Sequence, residues 1–177
     1  MASQPVALDA STLLNLLASG AAESILRSQS VSLIVVSAVA SEVLYIRSLR
    51  PEDPPEQVSV EPLLRTGVLQ LAKPETHEEA TLFVGFASSV DDGEAMSLAI
   101  CVSRGYVLAT DDRKARRVAA DASVPLIATS ELIFHWAEQG NPSDEDVRRV
   151  LSDIEARGRF SPWAGYPLRD WWLKVLA

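Results

Sequence analysis

The chain has little of what stabilises proteins through sulfur or soft metals. Its single cysteine, Cys101, cannot close an internal disulfide, so cysteine usage gives no sign of an oxidising compartment. The two histidines, His77 and His135, stand alone and read as structural; no His/Cys spacing of the zinc kind is present. No apolar run is long enough to span a bilayer, and the N-terminus lacks the basic-then-apolar layout of a secretory signal. These absences make the cytoplasm the expected location, with no membrane partner. Positive charge is also scarce, with 16 Lys and Arg against 24 Asp and Glu and a net charge of −8. That balance speaks against a broad basic face for non-specific nucleic-acid binding, though a carboxylate-lined metal site would itself contribute several of the negative charges.

The 177 residues are 47% hydrophobic and 23% charged, enough for one buried core and too apolar for a disordered chain. Val6–Ala7–Leu8 reads as a strand. Leu13, Leu14, Leu16 and Leu17 then recur on one helical face, with Asp9 at the junction. Leu33–Ile34–Val35–Val36 is a buried strand. Ser37 is placed to cap a following helix carrying Val39, Val43 and Ile46 and stopping before Pro51. Pro51–Pro62, rich in proline and acid, reads as a surface loop. A short strand near Val68–Leu71, helices over Glu75–Ser88 and Gly93–Ser103, and a strand at Tyr106–Ala109 follow. A helix over Asp112–Asp121, a strand at Pro125–Ala128 and a helix over Ser130–Gln139 complete the alternation.

That alternation predicts a three-layer α/β/α fold around a central parallel sheet, over residues 1–139. Residues 140–177 form a C-terminal helical and aromatic extension, packed on or beside it. There Ser143 and Asp146 suggest a capping box opening a charged helix to about Arg157. Trp163, Tyr166, Trp171 and Trp172 end the chain and are expected to pack on its own core.

In open parallel sheets ligands bind beyond the C-terminal strand ends, and acidic residues fall there from several segments. Asp9 ends the first strand, Glu42 lies early in the helix after the second, and Asp111 and Asp112 end the Tyr106–Ala109 strand. Asp91, Asp92 and Glu94 open a helix. Asp9 could equally be an N-cap, Asp91 with Glu94 an acidic capping box, and Thr110, Asp111 and Asp112 the start of a helix. Glu42 resists that reading, because its spacing from Val39 and Ile46 puts it on or beside an apolar stripe, where an unpaired charge needs a cation or a wet cleft. Oxygen-only donors suit Mg²⁺ or Mn²⁺, which can orient a phosphate and activate water.

Four segments together resemble the motifs of PIN-domain ribonucleases. They are Val6–Ser11, with its Asp after the first strand; Val36–Val43, with a helical Glu; Asp92–Ala99, an acidic residue leading an alanine-rich helix; and Leu108–Ala115, a Thr followed one residue later by Asp. The resemblance implies a metal-binding and catalytic set of Asp9, Glu42, Glu94 and Asp112. Asp111 is an alternative to Asp112, and Asp91 or Asp92 to Glu94. It implies Mg²⁺- or Mn²⁺-dependent endonucleolytic cleavage of RNA. Many members are VapC-like toxins, often homodimeric and neutralised by a small antitoxin protein. The Pro51–Pro62 segment and the C-terminal extension make this chain longer than most such toxins.

Ser11 and Thr110 are supporting candidates that could hydrogen-bond a ligating carboxylate. Arg113 and Lys114 are candidates for RNA contact. Helical spacing pairs Arg116 with Asp112 and Arg117 with Asp121. An aspartyl phosphatase would need a second Asp two positions after Asp9, where Ser11 stands. A catalytically silent PIN-like binding module is the other alternative.

Overall fold

The structure is a computed structural model that describes residues 4–42, 44–50 and 52–177. Strand β1 (Val6–Leu8) leads into helices α1 (Ala10–Ala18) and α2 (Ala22–Arg27), and β2 (Leu33–Val36) into the short α3 (Ser37–Ala40). A hairpin of β3 (Leu44–Ile46) and β4 (Glu56–Val58) follows, then α4 (Glu61–Arg65), β5 (Gln70–Ala72), α5 (His77–Ala87) and α6 (Asp92–Arg104). Strand β6 (Val107–Ala109), α7 (Arg113–Asp121), β7 (Leu126–Ile127) and α8 (Thr129–Gln139) continue the alternation. Helix α9 (Asp144–Asp153) runs into a π-helical turn, Ile154–Gly158, and α10 (Arg169–Leu176) ends the chain.

The main sheet has five strands in the order β5-β2-β1-β6-β7, all parallel. Ala7 lies opposite both Ile34 and Leu108, so β1 is central. Every residue of β1 and β2 is buried, the mark of strands covered on both faces. Helix α6 packs on β1, β2 and β6 with α3 and α5 against it, while α1, α2 and α8 form the second helical layer. This is the three-layer α/β/α arrangement. The core joins Leu8, Leu13, Val35, Leu98 and Ile133 to Val150, Leu151, Ile154 and Trp172 from the C-terminal segment. No helix among the described residues is long and apolar enough to cross a membrane.

From β1 the chain moves first toward β2 and β5, then returns past β1 to β6 and β7. The topological switch therefore falls between β1 and β6. Open α/β sheets bind ligands beyond the strand ends at such a point, and Asp9 and Asp111–Asp112 stand there.

The region after β2 differs from expectation. The helix stops at Ala40, and Ser37 is its first residue rather than its cap; Val36 holds the cap position, and the Ser37 hydroxyl meets the Met96 sulfur at 3.6 Å. The chain then turns into β3, which pairs antiparallel with β4 in the segment expected to be loop. Leu44 and Ile46 are buried and Tyr45 is exposed, so a period of two wins over the helical spacing of Val39 and Ile46. Pro62 sits in the first turn of α4, a position where its missing N–H costs nothing. Val43 and Pro51 lie outside the described residues.

Candidate active site

Asp9 is 1% exposed and caps α1, its Oδ1 accepting from the Thr12 amide at 2.8 Å. The Ser11 hydroxyl donates to both carboxylate oxygens, at 2.8 and 3.0 Å, and accepts from the Asp111 amide at 2.9 Å. Thr110, wholly buried, supplies a further side-chain hydrogen bond to Asp9. Ser11 and Thr110 thus tie the end of β1 to the end of β6. Capping and site-building are here one arrangement. Burial raises the Asp9 carboxyl to about 7 despite the bonds from Thr110, Thr12 and Ser11, and the nearby Asp111 charge adds to the rise.

Asp111 and Asp112 are consecutive but serve differently. The Asp111 carboxylate points inward and accepts from four donors: the Thr129 amide and Tyr166 hydroxyl on Oδ1, the Asn15 amide and Thr129 hydroxyl on Oδ2. Its hydrogen-bonding capacity is spent on α1, α8 and the C-terminal segment. Asp112 caps α7 through Oδ1, from Lys114 N at 2.7 Å and Ala115 N at 2.8 Å; Oδ2 receives no hydrogen bond among the described residues. The geometry favours Asp112 over Asp111 as the group able to face a ligand.

Glu94 lies in the first turn of α6, half-buried, with its amide bonded to the capping Asp91 carboxylate at 2.8 Å. Its carboxyl is pushed up to about 7, first by burial and then by the charges of Asp91, Asp112 and Asp9. Those electrostatic neighbours bring β1, β6 and α6 to one place. Asp92, the first residue of α6, is exposed beside Asp91.

Glu42 is placed differently from expectation. It follows α3 rather than riding on it and is exposed, so it is no buried charge on an apolar stripe. It nevertheless lines an open hollow with Asp91, Asp92 and Gly93. A Cβ on Gly93 would fall 2.3 Å from Glu42 Oε1, so the absent side chain there admits the carboxylate. Partial burial and the charge of Asp91 raise its pKa.

All of these donors are oxygens, the chemistry of a hard divalent cation. Thr12, whose amide holds Asp9, also keeps its hydroxyl buried with no hydrogen-bond partner among the described residues. Among the described residues no three acidic, histidine or cysteine side chains already stand as a cage for an ion. The donor set fits such a metal in the kind of atom it offers.

The basic residues of α7 depart from their expected pairing. The Arg116 guanidinium donates to the Thr110 carbonyl at 2.8 Å and lies 5.8 Å from the Tyr166 ring centre, rather than pairing with Asp112. Arg117 and Asp121 form no ion pair among the described residues. Arg116 is turned to the Thr110 carbonyl instead, and an exposed helical pair such as Arg117–Asp121 gains little. Arg113 stacks over Trp163 at 4.6 Å, and Lys114 is exposed. Sequence reasoning missed Asn15, Thr129 and the role of Tyr166. Asn15 carried a signal, a polar residue within Leu13–Leu17; Tyr166 carried none.

Fold and site together define a three-layer α/β/α protein with acidic side chains gathered at its topological switch. The DUF3368 family model, a PIN domain, matches residues 5–166, and the chain belongs to the PIN-domain family. PIN domains are generally nucleases and typically use divalent metal ions. Comparison with curated proteins and with solved structures finds no match.

Proposed function

We propose that this protein is a divalent-metal-dependent endoribonuclease with Asp9, Glu94 and Asp112 at its centre and Glu42 at its rim. The observation that carries the reading is the meeting of three segments: the Ser11 hydroxyl bonds both Asp9 oxygens and the Asp111 amide, and the half-buried Glu94 of α6 feels the charges of Asp9 and Asp112. Carboxylates brought together oppose one another's ionisation, and a bound cation relieves that opposition. Asp9, Glu94 and Asp112 would hold Mg²⁺ or Mn²⁺, with Glu42 or Asp91 joining from the hollow. When bound, the metal supplies Lewis acidity toward a phosphodiester and lowers the pKa of attacking water.

The chain's own residues do the rest. Ser11 and Thr110 fix the Asp9 carboxylate, and the Lys114 and Ala115 amides orient Asp112 so that its other oxygen is free. Arg113 and Lys114, exposed beside it, would bind phosphates flanking the cleaved bond. A toxin role, with a small antitoxin and a homodimer, extends this reading and rests on the motif resemblance alone.

The test is cleavage of single-stranded and structured RNA by purified protein with Mg²⁺ or Mn²⁺, beside Glu94→Gln. The reading expects metal-dependent cleavage reduced at least about a hundredfold in the variant, the scale of losing a group that acts on the transition state. Equal cleavage by both proteins, or none by the wild type, would overturn it.

A further inference from the structure

The β3–β4 hairpin and the turn after the π-helix enclose a second cavity, of about 550 Å³, away from the acidic site. Arg47, Arg50 and Arg159 line it together with the single acidic residue Asp53. Three guanidinium groups against one carboxylate make a local excess of positive charge in a chain whose net charge is −8. None of the three arginines has an ion-pair partner among the described residues. The neighbouring Arg157 is committed, reaching Glu56 at 2.7 Å and the Ala18 carbonyl at 3.4 Å.

The cavity wall is built rather than incidental. The Arg47 amide donates to the Arg157 carbonyl at 2.9 Å, and the Arg157 side chain returns a bond to the Arg47 carbonyl at 3.3 Å. Arg159 takes a left-handed φ of 58° directly after the π-helical turn. Gly158, beside it, packs so closely on α1 that a Cβ would lie 2.7 Å from Asn15 Oδ1. Asn15 in turn bonds Asp111, so the turn carrying Arg159 rests on the same helix as the acidic site. Arg47 lies five positions after Glu42, a reach of at most about 17 Å at roughly 3.3 Å per extended residue.

We infer that the Arg47–Arg50–Arg159 cavity is a phosphate-binding exosite that holds the backbone of the RNA strand a few nucleotides from the bond cut at the acidic site. The inference rests on the nuclease reading. Guanidinium groups match phosphate oxygens in geometry, and unpaired ones need no partner displaced before binding. That upper bound spans no more than about five phosphates, taking roughly 3.4 Å each for a fully stacked strand. The exosite thus adds, beside Arg113 and Lys114, a local concentration of arginine by which an acidic chain can grip a polyanion.

The experiment measures binding by fluorescence anisotropy with metal chelated. The probe is a labelled single-stranded oligoribonucleotide of about ten nucleotides, long enough to cover both sites. The variants combine Arg47→Gln, Arg50→Gln and Arg159→Gln, and, as a charge-keeping control, the three Arg→Lys changes. All three side chains are exposed, so folding should survive. The expected result is at least about a tenfold weaker Kd in the Gln variant, a salt slope shallower by about 1, and recovery in the Lys variant. Unchanged affinity and slope, or no oligonucleotide binding by the wild type, would overturn the exosite. Arginine-dependent binding without cleavage under any divalent ion would leave the exosite standing and remove the nuclease reading. Cleavage with arginine-independent binding would do the reverse.

Discussion

Tyr166 donates its phenolic hydrogen to Oδ1 of Asp111, joining residues 55 positions apart. Asp111 is the immediate neighbour of Asp112, so the C-terminal segment is anchored one residue from a proposed metal ligand. Burial and the Asp111 charge both raise the Tyr166 pKa, so the hydroxyl stays a donor throughout the working range.

Removing that donor leaves Oδ1 of Asp111 with the Thr129 amide alone. Tyr166→Phe should therefore destabilise the protein by about 1.5–3 kcal/mol, the range for a hydrogen bond to a charged group. Urea denaturation measures this. An unchanged midpoint would mean that packing of the wholly buried Trp172 holds the segment without help from Tyr166.

Gly93→Ala tests the rim. The new Cβ would displace Glu42 Oε1, the far end of an exposed side chain, and press on Val39 Cγ2 at 3.0 Å. Alanine also favours a helix over glycine by about 1 kcal/mol, so stability should move by less than about that amount. Thermal melts with and without Mn²⁺ should show a smaller metal-induced rise in the variant. An undiminished rise would remove Glu42 from the metal site.

A structural ion pair gives a separate acid-range prediction. Glu79, 1% exposed, meets Arg104 at 2.6 Å and accepts from the amides of Glu75 and Thr76 at the start of α5. The Arg104 hydrogen bond leads in lowering its pKa to about 2. A depressed carboxyl stabilises the fold above its ordinary value of 4.5, and that contribution is lost as pH falls toward 2. Glu79→Gln should cost about 1.5–3 kcal/mol at neutral pH and flatten the acid limb of a stability profile. A parallel acid limb in the variant would contradict this.

The proposed site predicts the opposite sign. Asp9 and Glu94 are both raised to about 7, so the folded, metal-free protein takes up protons that the unfolded chain does not. Their contribution is fully present below about 4 and is lost as pH rises through about 7. In chelator, wild-type stability should fall over that window, and Asp9→Asn should fall less, since it removes one charge and relieves Glu94. Denaturation series across pH read this directly; coincident profiles would show that burial does not raise the Asp9 carboxyl.

Much of this was legible in the residues. Val6–Leu8, Leu33–Val36 and the segment around Val107–Ala109 read as strands because unbroken apolar runs are what a doubly covered parallel sheet requires. Asp9, Asp91, Asp112 and Ser143 were visible as helix starts and all cap helices. The hairpin was not legible, because Leu44–Ile46 pairs with a strand lying among prolines, and only that non-local pairing decides against the helical spacing. Nor could local pattern tell which of Asp111 and Asp112 turns inward. Asp111 is claimed by Asn15, Thr129 and Tyr166, from three distant segments.

The most direct test is an anomalous difference map from a Mn²⁺-soaked crystal of the wild-type protein. A peak bounded by Asp9, Glu94 and Asp112 is the predicted result. At saturating Mn²⁺, a map with no peak there, or with the ion held by other residues, would contradict the account.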